Sequence, residues 1–249
     1  MPTVLITGCS SGFGLETARL FLQRGWNVVA TMRNPHKEVL PESDALRILP
    51  LDVTDASSIG TLVEEAGEID VLVNNAGIGA VAPIELTDAA LARQLFDTNM
   101  LGTLSVMRAY LPTFRERRSG TIINVTSAVT LKPLPLVSVY RASKAAVDAL
   151  TASLAVEMEP FGVRVHMVLP GRSPATSFGE NAAERIRGAD NQDYAPMIQE
   201  MMSGFQDNEG PVTHAGDVAE AVWEAATDPD AALRIAAGDD AVKWMTQTT

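Results

Sequence analysis

Apolar and polar positions come in blocks along this chain. Short apolar runs occupy 3–7, 27–32, 46–51, 70–73, 121–126, 163–169 and 233–236. Most are apolar throughout rather than at every second position, the pattern of strands covered on both faces. Between them, 15–23, 91–118, 138–159 and 217–226 carry helical spacing. This alternation predicts βαβ units and an α/β, doubly wound parallel sheet.

Two connections break the rhythm. The stretch 33–45 contains Pro35 and Pro41, so at most a short helix crosses there. The stretch 172–210 separates the sixth strand from the next helix and is rich in Met, Phe and Gly. A connection of that length inside a compact domain is a functional lid or is poorly ordered. No linker, repeat or composition break divides the chain, so residues 1–249 are expected to form one domain with a substrate lid at about 172–210.

Composition narrows the partners. With 249 residues, 46% of them hydrophobic and 20% charged, the chain can bury a substantial core. A formal charge of −12 without a long Lys/Arg run argues against a nucleic-acid face, although it leaves room for a local phosphate pocket. Cys9 is the one cysteine, which rules out an internal disulfide and fits a reducing compartment. The N-terminus reads as a strand and turn rather than a signal peptide, and the apolar stretches are too short to span a bilayer. A cytoplasmic protein with no membrane partner is expected. His36, His166 and His214 lie far apart, so no metal site is expected, and His166 in its apolar strand reads as structural.

Between the first strand and first helix lies a glycine-rich turn, Thr7, Gly8, Cys9, Ser10, Ser11, Gly12, Phe13 and Gly14. A turn so placed aims backbone N–H groups and a positive helix N-terminus at an anion, a ready site for a pyrophosphate. Cys9 reads as a small residue filling the bend. At the end of the second strand an NAD site carries an acid for the ribose hydroxyl. Here the run is Thr31, Met32, Arg33, and Arg33 suits a 2′-phosphate, with His36 and Lys37 close by. NADP(H) is expected over NAD(H).

Tyr140 and Lys144 are four residues apart and share one helix face, and Ser127 lies thirteen residues before the tyrosine. A nearby ammonium favours the phenolate, and Ser138 as N-cap would place Tyr140 in the first helical turn, where the dipole acts in the same direction. The phenol can then exchange a proton with a substrate oxygen while hydride moves to or from a nicotinamide. Ser127, at the C-terminal end of its strand, can bond that same oxygen.

These residues resemble the short-chain dehydrogenase/reductase family, and the match spans nearly the whole chain. Residues 7–14 resemble its Thr-Gly-x-x-x-Gly-x-Gly. Asp52 and Val53 resemble the adenine-contacting pair. Asn74, Asn75, Ala76 and Gly77 match its Asn-Asn-Ala-Gly, and Pro170 and Gly171 its cofactor-contacting turn. Thr176 matches a further cofactor contact with one residue inserted. The resemblance implies a Rossmann fold of about seven strands and assigns Asn99, Ser127, Tyr140 and Lys144 to catalysis. Asn99 would hold a water linking Lys144 to solvent, and Lys144 would bond the nicotinamide ribose. It also implies a homodimer or homotetramer, pairing through 91–118 and 138–159. The opening turn and the ending 233–241 look most like the hydroxysteroid and retinol dehydrogenase branch.

The expected activity is hydride transfer between NADP(H) and a carbonyl or secondary alcohol. The expected substrate is a bulky, apolar ketone, held between the lid residues Phe178, Tyr194, Met197, Ile198, Met201, Met202 and Phe205 and a wall of Leu131, Leu134, Leu136 and Val137. A nucleotide sensor without turnover is the rival from another class; it need not keep Asn99, Ser127, Tyr140 and Lys144 together. The short Tyr140–Lys144 spacing speaks against enoyl reductases with a longer spacing, and the short C-terminal part against sugar-nucleotide epimerases. An NAD-preferring alcohol dehydrogenase is a further alternative.

Overall fold

The structure, a computed structural model, describes residues 1–35, 39–176, 178–206 and 210–248. Its strands are β1 (Thr3–Ile6), β2 (Asn27–Met32), β3 (Leu46–Pro50), β4 (Val71–Asn74), β5 (Gly120–Val125), β6 (Val163–Pro170) and β7 (Arg234–Ala237). Together they form one 7-stranded sheet in the order β3-β2-β1-β4-β5-β6-β7, parallel at every pairing. The helices are α1 (Gly12–Gln23), α2 (Ala56–Ala66), α3 (Ala89–Phe96), α4 (Thr103–Arg117), α5 (Ser138–Met158), α6 (Phe178–Ala183), α7 (Ala195–Gln206), α8 (Ala215–Thr227) and α9 (Asp239–Thr248). The order reverses at β1, which pairs with β2 on one side and β4 on the other. That reversal opens a crevice at the C-terminal strand ends, where ligands bind in sheets of this kind.

The unbroken apolar strands are explained by two cores. Val4, Ile6, Val28, Ala30, Val71, Val73, Ile123 and Val168 face α1 and α8 with Ala18, Phe21, Val218 and Val222. The alternate residues Leu5, Val29, Leu72, Ile122 and Val165 pack the other way, against Leu62, Val106, Phe114 and Leu154 of α2, α4 and α5. A strand sandwiched in this way has no polar face to show. His166 is buried in β6, where its Nδ1 meets the Ala232 carbonyl at 2.9 Å.

The helical pattern at 91–118 differs in detail. It begins earlier, with the Asp88 carboxylate accepting from Leu91 N at 2.7 Å, and it widens into a π-helical turn over Asp97–Gly102 before α4. Ser138 does not cap α5. Val137 does, because its carbonyl takes the first helical bond from Arg141 N at 2.7 Å; Tyr140 nonetheless stays in the first turn. Described residues between 33 and 45 form no α-helix. The long segment at 172–210 holds α6 and α7 and is fastened to the domain. Val81 and Ile186 form an isolated parallel bridge, Arg187 N donates to Val81 O at 3.0 Å, and Arg187 Nε meets Asp88 Oδ2 at 3.2 Å.

Candidate active site

The glycine turn runs from β1 into α1 as the sequence pattern indicates. Gly8 has φ 75°, a left-handed conformation that glycine adopts without a steric cost. A β-carbon on Gly14 would run into the Gly8 carbonyl and the Asn75 amide. The turn is tied to the end of β4. Thr7 Oγ1 accepts from Asn75 N at 3.0 Å and Ala76 N at 2.9 Å, while Asn75 Nδ2 donates to Thr7 O at 2.9 Å and Gly8 O at 3.2 Å. No side chain caps α1, so its first amides face the crevice with the positive end of the helix dipole. Thr176 stands over Gly12, within 3.5 Å of a β-carbon built there, so the irregular run after Gly171 still brings its threonine to the cradle.

One cavity of about 1390 Å³ takes in this cradle and continues to α5 and the segment at 172–210. Typical small-molecule pockets are about 300–1,000 Å³, so there is room for a dinucleotide together with a substrate. Its lining includes Gly8, Ser10, Ser11, Gly12, Phe13, Asn75, Ala76, Gly77, Pro170 and Gly171. Gly14 is buried behind the turn. Arg33, Asp52 and Val53 line the end of the cavity beyond β2 and β3. The Asp52 carboxylate sits below its usual range because Thr54 bonds it through side chain and backbone, with a smaller pull from Arg33. His36 and Lys37 lie outside the described residues.

At the other end, Ser127, Tyr140 and Lys144 all line the cavity and are 5–7% exposed. Ser127 stands just past β5 and begins a single 3₁₀ turn, Ala128–Thr130. Its hydroxyl shares a hydrogen bond with that of Tyr140, which lowers the phenol pKa, but burial is the larger effect and pushes it up to about 12. The expected lowering by the ammonium is not seen: burial and the Ser127 bond are what act on the phenol, and Lys144 Nζ donates to the Val125 carbonyl at 3.0 Å. Lys144 is itself pulled down to about 8 by burial, opposed by Asp148. Asn99 lies in the π-helical turn and is 1% exposed. Its Oδ1 accepts from Ile78 N at 2.8 Å, and its Nδ2 donates to Ile78 O and Ser143 Oγ, both at 3.0 Å. Those bonds commit the side chain to holding the Gly77–Ile78 backbone. A β-carbon built on Gly77 would stand 3.1 Å from Asn99 Oδ1 and 3.3 Å from Lys144 Nζ, so Asn99 and Lys144 approach the same side of the cradle.

Of the apolar residues expected around a substrate, Met197, Met201, Met202 and Phe205 of the 172–210 segment and Leu134 and Val137 across from them line the cavity. Leu131 is not among the lining residues. Leu136 turns away, with φ 61°, and packs with Val81, Ile198 and Tyr194 as the seat of the lid. The side chain of Phe178 lies outside those described. Sequence reasoning did not find the polar residues on this side, among them Arg93, Arg185 and Glu200. It also missed Asp240 of α9, whose carboxylate accepts from Arg172 N at 2.6 Å and Thr213 Oγ1 at 2.8 Å, while Thr213 Oγ1 accepts from Gly171 N at 2.9 Å. No sequence spacing marks this clamp, because its parts come together only in the fold. Among the described residues, no three or more His, Cys, Asp or Glu gather where a metal could sit, and no helix is long and apolar enough to cross a membrane.

With fold and site described, the chain can be set beside known proteins. Residues 2–186 match the model of the short chain dehydrogenase family, and the chain belongs to that family. It is 35% identical to short-chain dehydrogenase PC-15 of Penicillium crustosum, over 91% of this chain and 93% of that protein. It is 38% identical to retinol dehydrogenase 8 of Bos taurus, over 76% of this chain and 64% of that one. Among solved structures, a short-chain dehydrogenase from Streptomyces avermitilis superposes with a TM-score of 0.84 at 31% identity, covering 99% of this chain and 91% of the other. The closed form of a serine dehydrogenase complexed with NADP+ gives 0.82 at 29% identity, covering 96% and 95%. The chain is thus an oxidoreductase of the short-chain type, with a Rossmann sheet.

The cradle has a direct chemical check. Cys9 is fully buried, its thiol donates to Ile6 O at 3.2 Å, and burial raises its pKa to about 12. At pH 8 the thiolate that alkylating reagents need is absent. Iodoacetamide is therefore expected to leave the folded protein unmodified by mass spectrometry, and to label Cys9 stoichiometrically in denaturant. Rapid labelling of the native protein would contradict the packing of the cradle.

Proposed function

We propose that this chain is an NADP(H)-dependent reductase of bulky apolar ketones, working reversibly on the corresponding secondary alcohols. The single observation that carries this reading is the Ser127–Tyr140 hydrogen bond inside a cavity that also contains Lys144 and a dinucleotide-sized cradle. A bound nicotinamide would supply the hydride. The chain's own residues do the rest. Tyr140, kept protonated by burial, gives its proton to the oxygen of the reduced carbonyl. Ser127 holds that oxygen, and Lys144, facing the same cavity, would bond the cofactor ribose and return the phenol's proton. Asn99 would set the relay to solvent by fixing the Gly77–Ile78 backbone.

For the cofactor, backbone amides of the glycine turn and the start of α1 would take the pyrophosphate. Asp52 and Val53 would flank the adenine, Asn75, Ala76 and Gly77 the ribose side, and Pro170, Gly171 and Thr176 the nicotinamide. Arg33, at the end of β2 with no acid before it, would pair with the 2′-phosphate. Solved relatives complexed with NADP+ or bound to NADP support this preference. The apolar lining from Met197, Met201, Met202, Phe205, Leu134 and Val137 supports the substrate class, and the segment at 172–210 would act as the lid over it.

Removing only the phenol hydroxyl tests the chemistry. Tyr140→Phe should bind NADPH normally by fluorescence titration yet lose about 10²–10⁴-fold in kcat. A near-normal kcat would take Tyr140 out of the mechanism. A wild-type protein that binds NADPH but turns over no ketone in a broad panel would favour a nucleotide sensor instead.

Cofactor choice is tested at Arg33. Arg33→Ala should raise KM for NADPH about 10–100-fold, the scale of about 1.5–3 kcal/mol for a charge-assisted bond, and leave KM for NADH nearly unchanged. Equal changes with both cofactors would remove Arg33 from the phosphate site.

Assembly belongs to the same reading. Leu101, at the π-helical turn before α4, is 44% exposed, and Val156 on α5 is 71% exposed, the apolar positions that pairing between copies would cover. Sedimentation at micromolar concentration is expected to show a dimer or tetramer, and a monomer would refute it.

A further inference from the structure

One buried carboxylate next to the site has no role in the reading above. Asp148 lies one helical turn beyond Lys144, on the α5 face that carries Tyr140, Ser143, Lys144, Val147 and Thr151 into the interior. It is 8% exposed, and its Oδ1 has no hydrogen-bond partner. An ionised carboxylate in such a place is costly unless cations or strong donors face it. Four groups do. Lys144 faces it from its own helix, Arg234 from the start of β7, and the hydroxyls of Thr130 and Thr126 from the segment around Ser127. Those hydroxyls also reach backbone, Thr130 to Ser127 O at 2.9 Å and Thr126 to Val168 O at 3.4 Å. The hydroxyls are the larger support for the carboxylate, and the two cations, Arg234 and Lys144, add to it.

The same arrangement seen from Lys144 is more consequential. Its ammonium is 5% exposed and bonds a neutral acceptor, the Val125 carbonyl. Its other polar neighbours, across Gly77 and one turn back on α5, are Asn99 and Tyr140, also uncharged. Among the described residues, Asp148 is the one negative group that opposes its discharge. We propose that Asp148 is the counter-charge that keeps Lys144 an ammonium at neutral pH, which makes it a positioning residue for the Tyr140–Lys144 pair. The inference rests on the reading of Lys144 as the cationic partner of the catalytic phenol. Burial pushes Asp148 upward from the ordinary carboxylate range, and Thr130, Thr126, Arg234 and Lys144 pull it back. The effect runs in both directions: the lysine adds to what holds the acid ionised, and the acid opposes the discharge of the lysine.

The sign of the pH dependence follows. Lys144 is depressed to about 8, so it is cationic below that pH and neutral above it. In wild type, kcat/KM for ketone reduction should hold below pH 8 and fall above it, since kcat/KM reports groups of the enzyme before that substrate binds. In Asp148→Asn, which keeps size and polarity, the falling limb should move down by about 1–3 units, the usual effect of an adjacent opposite charge. At pH 8 that is a loss of at least about fivefold, while the two enzymes converge at lower pH. A second readout needs no turnover. NMR titration of the Lys144 side chain in the free protein, assigned by its absence in Lys144→Met, should give a lower midpoint in D148N. If D148N does not fold, Asp148→Ser takes the same two measurements. An unmoved limb, an unchanged Lys144 midpoint or a loss equal at every pH would overturn the proposal. A wild type without ketone turnover would instead defeat the assigned activity and leave the NMR result to decide on Asp148.

Discussion

Where the strand order reverses at β1, the sheet must leave a crevice open and still satisfy the backbone that borders it. Thr7 and Asn75 resolve that conflict. One hydroxyl takes the amides of Asn75 and Ala76, and one side-chain amide returns bonds to the carbonyls of Thr7 and Gly8. Each such bond contributes only about 1 kcal/mol net, but an unsatisfied buried group costs about 1–3. The turn therefore has one low-energy shape, with its outer amides left to face a ligand. The next tie is built on the same segment: Asn99 seizes both backbone groups of Ile78, two residues beyond Ala76. The cradle and the wall carrying Asn99, Tyr140 and Lys144 are thus parts of one hydrogen-bonded sequence of residues rather than two sites that happen to adjoin.

Burial acts on that wall in a direction chemistry has to oppose. It raises Tyr140 to about 12 and lowers Lys144 to about 8, so it drives both groups towards neutrality. A neutral phenol is the right form for giving a proton to a ketone, but it is a poor form for taking one back. The Ser127 hydrogen bond lowers the phenol, and Asp148 holds the lysine up. These small polar corrections matter because the surroundings are dry. In water the same contacts would be screened and nearly worthless.

Much of this was legible before any coordinates. Strand ends fell within one residue because a strand covered on both faces reads as an unbroken apolar run, and flanking Gly, Pro and charge mark where coverage stops. The cradle and the Ser127, Tyr140 and Lys144 set were legible because each is made of residues close together in the sequence. What was not legible depends on contact between distant elements. The π-helical widening at 97–102 keeps the apolar pattern of a plain helix, and only the Asn99 bonds to Ile78 show why it is there. The φ of Leu136 is imposed by its seat under Ile198, with Ala82 N donating to its carbonyl at 2.7 Å. Val137 took the cap expected of Ser138 because a cap is decided by which carbonyl reaches the fourth amide on, not by which residue has a hydroxyl.

The C-terminal helix shows how far such contacts extend the site. Asp240 fixes the backbone N–H of Arg172, and the Arg172 guanidinium donates to the carbonyls of Gly204 at 2.5 Å and Phe205 at 3.4 Å. One residue thus joins the turn beside the glycine cradle to the last turn of α7, where Met201, Met202 and Phe205 line the cavity. Trp244 of α9 lines the same cavity, with the Lys132 ammonium 3.7 Å from its ring centroid. Lys132 belongs to the loop that carries Leu134 and Leu136. α9 thus ties the Gly171–Arg172 turn, through Arg172, to the last turn of α7, and brings to one cavity segments that are far apart in the chain.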